Sequence, residues 1–125
     1  MIAYDILICG IGGQGAISLG TVLKLAAIHE RLEVVGAERR GGAQREGIVT
    51  SNVRYRKLEP GETPDERLTA VSGLIPSGGA HMMISMEPLE ALRHGRWLNE
   101  SSVVIANDFP LTPVSVRMGE REYPT

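Results

Sequence analysis

The chain has 125 residues, 42% hydrophobic and 22% charged, with a net charge of -2 and an isoelectric point near 5.9. That describes one ordinary globular domain with a single core. Its mild acidity gives no basis for bulk attraction to nucleic acid, and no apolar run reaches the roughly 18 residues that a membrane span needs.

Met1 to Asp5 carry no Lys or Arg ahead of the short apolar stretch, so the N-terminus reads as a first strand and not as a signal peptide. Ile6-Leu7-Ile8-Cys9 is an apolar run ending at Gly10, the pattern of a buried parallel strand. Gly10 to Gly15 form a glycine loop. From Ala16 to about Ile28, residues Ile17, Leu19, Val22, Leu23, Leu25, Ala26 and Ala27 suit a helix packed on a sheet. Glu33 to Ala37 predicts a second strand, and Glu38 to Glu46 a loop of Gly and Arg. Ile48 to Arg56 alternates, with Val49, Val53 and Tyr55 on one face and Thr50, Asn52 and Arg54 on the other. Too few residues separate these two strands for a parallel crossover of a dozen or so residues. At least one antiparallel strand is therefore expected.

Lys57 to Arg67, with Pro60-Gly61 and Pro64, reads as an exposed excursion. Leu74-Ile75-Pro76 suggests a brief edge strand and Met82 to Met86 a buried strand. Glu87-Pro88 opens a helix reaching about Trp97, with Pro88 in the first turn and Glu87 and Glu90 at the positive end of its dipole. Val103 to Asn107 predicts a further buried strand, and Val114 to Val116 a last one beyond a Pro-rich stretch. Fifteen glycines cluster at residues 10–15, 41–47 and 73–79, marking three special loops. The expected architecture is a single α/β domain over residues 1–125, a three-layer Rossmann-like sandwich with a mixed, mostly parallel sheet.

Gly10-Ile11-Gly12-Gly13-Gln14-Gly15 satisfies G-x-G-x-x-G in the required context, after a strand and before a helix. In such a loop Gly10 permits the tight turn, Gly12 lets the backbone approach a pyrophosphate and Gly15 lets helix and strand pack closely. Helix N–H groups then face the anion. A glycine turn serving packing alone is the alternative. The ribose-binding acid of a dinucleotide site should lie about 20 residues further on. Glu38 is late for that and Glu33 early, so an ordinary NAD site has little support. The second loop carries Arg39, Arg40 and Arg45 among Gly41, Gly42 and Gly47. Forked guanidinium donors and exposed backbone amides suit phosphate; a solvated surface loop fits the composition equally.

Gly12-Gly13-Gln14-Gly15, then Gly41-x-Ala43-Gln44-Arg45-x-Gly47 running into Ser51-x-Val53-Arg54, then Glu87-Pro88-Leu89-Glu90-Ala91-Leu92-Arg93, together resemble the small (beta) subunit of indolepyruvate ferredoxin oxidoreductase. More distantly they resemble the gamma subunit or domain of the pyruvate and 2-oxoglutarate enzymes. The resemblance runs from about Ile6 to Asn107. It implies a non-catalytic subunit of an enzyme that oxidatively decarboxylates aryl 2-oxoacids to acyl-CoA. Thiamine diphosphate and iron–sulfur clusters would sit in a large partner subunit, and electrons would pass to ferredoxin through the complex.

It also implies a hetero-oligomer and a CoA-binding role for this chain. The candidate contacts are Gly10, Gly12, Gly13, Gln14, Gly15, Arg40, Gly41, Gln44 and Arg45. Four departures stand out. Glu46 replaces the family's usual Gly, His81 its usual Asp, the segment from Lys57 to Gly73 is longer and more polar than the resemblance implies, and family members are longer at the C-terminus, which leaves a truncated form, a fragment or a divergent accessory protein as the expectation.

The remaining chemistry-bearing residues point to structure. The only cysteine, Cys9, excludes an internal disulfide and cannot supply the four thiolates an iron–sulfur cluster usually takes. It reads as a buried structural thiol, and the set of features favours the cytoplasm. His29, His81 and His94 have no metal-ligand spacing. Glu87 and Glu90 read as helix-capping groups, and no serine sits in a nucleophile motif. No catalytic residue and no metal site are expected. A stand-alone NAD(P)- or nucleotide-binding protein is the alternative function.

Overall fold

In the computed structural model, which describes residues 2–12, 15–40, 48–61 and 72–108, the first apolar run becomes β1 (Ile2–Ile11), the middle strand of a five-stranded sheet. There follow α1 (Ala16–His29), β2 (Glu33–Arg40), β3 (Ile48–Lys57), β4 (Met82–Ser85), α2 (Pro88–Arg93), a 3-10 turn (Gly95–Trp97) and β5 (Val103–Ala106). The sheet order is β2-β3-β1-β4-β5. β3 is antiparallel to both its neighbours, whereas β1–β4 and β4–β5 are parallel. Four strands thus share one direction and β3 alone opposes them, the mixed and mostly parallel sheet that the short β2–β3 connection demands.

β1 is buried from Asp5 to Ile11 because strands flank both its edges and layers cover both its faces. Side-chain alternation divides the core. Ile6, Ile8, Val49 and Val53 meet Ala16 under α1, while Leu7, Cys9 and Met83 meet Ile75 and Ala80 on the opposite side, with Ala91, Trp97 and Leu98 against them. The result is three layers.

The closest approach of α1 to the sheet is at Gly20. A Cβ there would collide with Ser51 Oγ and stand 3.0 Å from Ser51 Cβ. The packing role expected of Gly15 therefore falls to Gly20. Around Gly15 a Cβ would meet nothing within 4 Å; that residue is glycine for its backbone, with φ +88° at the helix N-cap.

On the other face, residues 72–80 form no strand, in contrast to the edge strand expected at Leu74–Pro76. The first half of this segment gives its backbone groups to side chains, and Gly78 and Ala80 donate to the carbonyls of Arg96 and Trp97. Arg54 Nη1 donates to the carbonyls of Ser72 (2.7 Å) and Leu74 (3.2 Å). Ile75 N–H donates to Asn52 Oδ1 (3.2 Å), and Trp97 Nε1 donates to the Ile75 carbonyl (3.1 Å). The segment lies across the sheet face, not along its edge. Beneath it Asp5 accepts from Arg54 Nε (3.1 Å) and Arg56 Nη1 (2.8 Å), a buried carboxylate between two buried guanidinium groups.

Three further expectations are corrected. Glu38, Arg39 and Arg40 belong to β2 and not to a loop, because pairing with β3 persists to Arg40 opposite Val49. The helix opened by Pro88 ends as an α-helix at Arg93; its N-cap is Glu87, whose Oε2 accepts from the Glu90 N–H at 3.0 Å. β5 is not buried: Val103, Val104 and Ile105 are 51%, 45% and 53% exposed, since among the described residues it is the outer strand and no element covers it. The strand expected at Val114–Val116 and most of the excursion up to Arg67 lie outside the described residues.

Candidate ligand-binding site

β1 ends at Ile11, opposite the first residue of β3, Ile48. Gly10 and Arg40 both face Val49, one from each side. The glycine loop and the arginine loop consequently leave the same rim of the sheet, roughly 10 Å apart with β3 between them. Gly10, Gly12 and Gly15 lie on one side of this gap and Arg40 on the other. Gly13, Gln14, Gly41, Gln44 and Arg45 lie outside the described residues. Gly15 holds the N-cap of α1 in a left-handed conformation and has no side chain with which to cap it. Among the described residues no side chain caps the first turn of this 14-residue helix.

Neither candidate ribose acid is in place. In a dinucleotide fold the second strand lies beside the first; here β3 separates β2 from β1. Glu38 is instead engaged by Lys24 of α1, at 3.7 Å. Glu33 pairs with Arg56 at the far end of β2.

From the rim a cleft of about 490 Å³ descends along the sheet face away from α1. Arg39, Arg40 and Ile48 stand at its rim end. Leu7, Thr50 and Asn52 line it from the sheet, Ile75 and Pro76 from the segment over the sheet, and His94, Arg96 and Trp97 from the C-terminal end of α2 and the 3-10 turn. Among the described residues no aspartate or glutamate lines it. Arg96 lies over the Trp97 ring, 4.1 Å from its centroid. His94 Nδ1 is 2.7 Å from the Glu90 carbonyl oxygen. A carbonyl only accepts, so Nδ1 carries the hydrogen and Nε2 remains for other partners.

Behind His94, Glu90 is 1% exposed and its Oε2 has no hydrogen-bond partner. Burial pushes its carboxyl above the usual carboxylate range, against the opposing pull of Arg93 and His94. Burial likewise pushes the Cys9 thiol up to about 11, partly offset by a hydrogen bond from Ser85. The thiol stays protonated and inert, a structural group. Among the described residues no three His, Cys, Asp or Glu side chains gather as metal ligands.

Of the sequence-derived candidates the structure thus unites Gly10, Gly12, Gly15 and Arg40 at one rim. It adds Thr50, Asn52, His94, Arg96 and Trp97. The signal for Thr50 and Asn52 was present, as polar side chains on the helix-averse face of an alternating strand. Nothing local marked the other three.

The sequence matches the pyruvate ferredoxin/flavodoxin oxidoreductase family over residues 5–124. It is 39% identical over 120 residues to the indolepyruvate oxidoreductase subunit IorB of Archaeoglobus fulgidus, covering 96% of this chain and 54% of that protein. The corresponding subunit of Thermococcus kodakarensis is 36% identical over 122 residues, covering 98% and 55%. The chain spans about half the length of these curated relatives.

Among solved structures, pyruvate oxidoreductase subunit PORC of Thermotoga maritima superposes with a TM-score of 0.62 at 16% identity, over 96% of this chain and 57% of that one. A 2-oxoglutarate:ferredoxin oxidoreductase from Magnetococcus marinus, with 2-oxoglutarate, coenzyme A and succinyl-CoA bound, gives 0.66 at 15% identity over 90% and 18%. Both share the fold. The family match over nearly the whole sequence and the identity to curated relatives show that the chain belongs to the pyruvate ferredoxin/flavodoxin oxidoreductase family, as a relative of its indolepyruvate subunits.

Proposed function

We propose that this chain is the small, non-catalytic subunit of a cytoplasmic 2-oxoacid:ferredoxin oxidoreductase acting on aryl 2-oxoacids such as indolepyruvate, and that it serves assembly and the binding of CoA phosphates. The observation that carries this is the shared rim, where an uncapped helix N-terminus and Arg40 flank β3. A pyrophosphate fits such a place. Gly12 leaves the backbone approachable, the α1 amides take one phosphate and the Arg40 guanidinium reaches from the other side. CoA supplies the thiol that accepts the acyl group.

Thiamine diphosphate, the iron–sulfur clusters and delivery of electrons to ferredoxin belong in this reading to a larger partner subunit. One cysteine, protonated in the core, cannot hold a cluster. The alternative of a self-sufficient NAD(P) protein is less well supported, because Glu38 is two strands from the glycine loop and held by Lys24.

The test is co-expression with a large thiamine- and cluster-containing subunit, followed by indolepyruvate- and CoA-dependent dye reduction. The complex is expected to be stoichiometric and the small chain alone inactive. Arg40→Ala should raise KM for CoA about tenfold with kcat held, the signature of lost uniform binding. Unaided activity of the chain, or a CoA KM indifferent to Arg40, would refute the proposal.

A further inference from the structure

We infer that the cleft on the face away from α1 is a second binding site, for an organic anion with a planar apolar body, of which an aromatic carboxylate is the simplest case. The site stands on the cleft's own geometry and not on the rim reading.

Its volume of about 490 Å³ lies within the range of small-molecule pockets. Its lining is chemically divided. Ile75 and Pro76 offer apolar surface and the Arg96 guanidinium, lying over the Trp97 ring at 4.1 Å, a flat one, while Arg39 brings a second guanidinium with no carboxylate among the described residues lining the cleft. A guanidinium fork matches a carboxylate or phosphate in two parallel hydrogen bonds. The sheet side is already satisfied: Asn52 is committed to the Ala37 carbonyl (3.2 Å) and the Ile75 N–H. Binding a ligand there therefore does not compete with the fold. His94, with Nδ1 given to the Glu90 carbonyl, leaves Nε2 for another partner. An anionic head at Arg39 and a flat body on the Arg96–Trp97 stack suit these walls. A free aromatic acid and the adenosine phosphate of a nucleotide both present that chemistry.

The chain contains one tryptophan, Trp97, so its fluorescence reports on this wall alone. The protein is titrated with phenylacetate and separately with ADP or CoA, by calorimetry alone and in its complex, and by Trp97 emission for the chain alone. Saturable binding of the aromatic acid that shifts Trp97 emission, weakened about tenfold by Arg39→Gln and by Arg96→Gln but not by Arg31→Gln at the opposite end of the sheet, establishes the site with a free acid as its ligand. The same pattern with ADP or CoA, and displacement of the aromatic acid by it, establishes the site with a nucleotide source. If neither class binds, or binding ignores both arginines, the inference fails. Rim variants such as Gly12→Val keep the two sites distinguishable. They should weaken CoA at the rim and leave the aromatic acid unaffected.

Discussion

Against α1 the sheet packs side chain on side chain, with Ile6, Ile8, Val49 and Val53 under a helix that touches β3 through Gly20. On the opposite face Asn52, Arg54 and Trp97 hold an extended segment by its backbone, and Asp5 neutralises two arginines beneath it. A helix satisfies its own amides and closes a face chiefly by apolar contact, here with the Tyr55 hydroxyl donating to the Leu23 carbonyl and the Lys24–Glu38 pair beside it. An irregular segment must be satisfied from outside, so the face under it is polar and its packing is incomplete. The cleft lies on the second face for that reason.

Breaking the polar face should have the largest effect. Asp5→Ala leaves Arg54 and Arg56, both under a tenth exposed, without their carboxylate. A loss of about 3–5 kcal/mol is expected in urea unfolding. A neutral result would mean the two guanidinium groups find water. Gly20→Val attacks the dry face. Its methyls meet Ser51, and about 2–3 kcal/mol should be lost, with Trp97 emission of the folded protein unchanged.

Asn52→Leu separates the faces more finely. It strands the Ile75 N–H at a cost of about 1–2 kcal/mol and, unlike Gly20→Val, should shift Trp97 emission. Identical emission in both variants would argue that the faces are not independent. The smallest effect is in pH. Burial raises the Glu90 carboxyl above its ordinary 4.5, so the folded state keeps a proton that the unfolded chain has released. Its stabilisation is full below that ordinary value and fades as pH rises through the elevated one. Glu90→Gln should abolish this decline in melting temperature. Parallel wild-type and variant profiles would count against it.

The legible parts of this molecule are those set by local pattern. The β1 run, the glycine turn, the alternation of β3 and Pro88 after Glu87 each signal one element and one role. The short β2–β3 spacing even foretold the opposed strand. What escaped depends on partners distant in the chain. Gly20 looks like a weak spot in a helix until Ser51 is set against it. Leu74–Pro76 resembles a strand until Asn52 and Arg54 claim its amide and carbonyls. Val103–Ile105 reads as buried because apolar runs usually are, and only the sheet order shows it to be outermost. Arg96 and Trp97 reach the cleft through α2, a placement no spacing rule encodes.

The position of β1 at the centre of the sheet has a consequence for how the chain is made. One of its edges can pair with β3 soon after residue 57 emerges, but the other waits for β4; Asp5 and His81, which meet there, are 76 positions apart. At roughly 5–20 residues per second the 28 residues from Lys57 to Ser85 take about 1.4–6 s. Throughout that time the nascent polypeptide carries an apolar strand with one open hydrogen-bonding edge, so the ribosome-bound intermediate, and not the finished domain, is the form most in need of a chaperone.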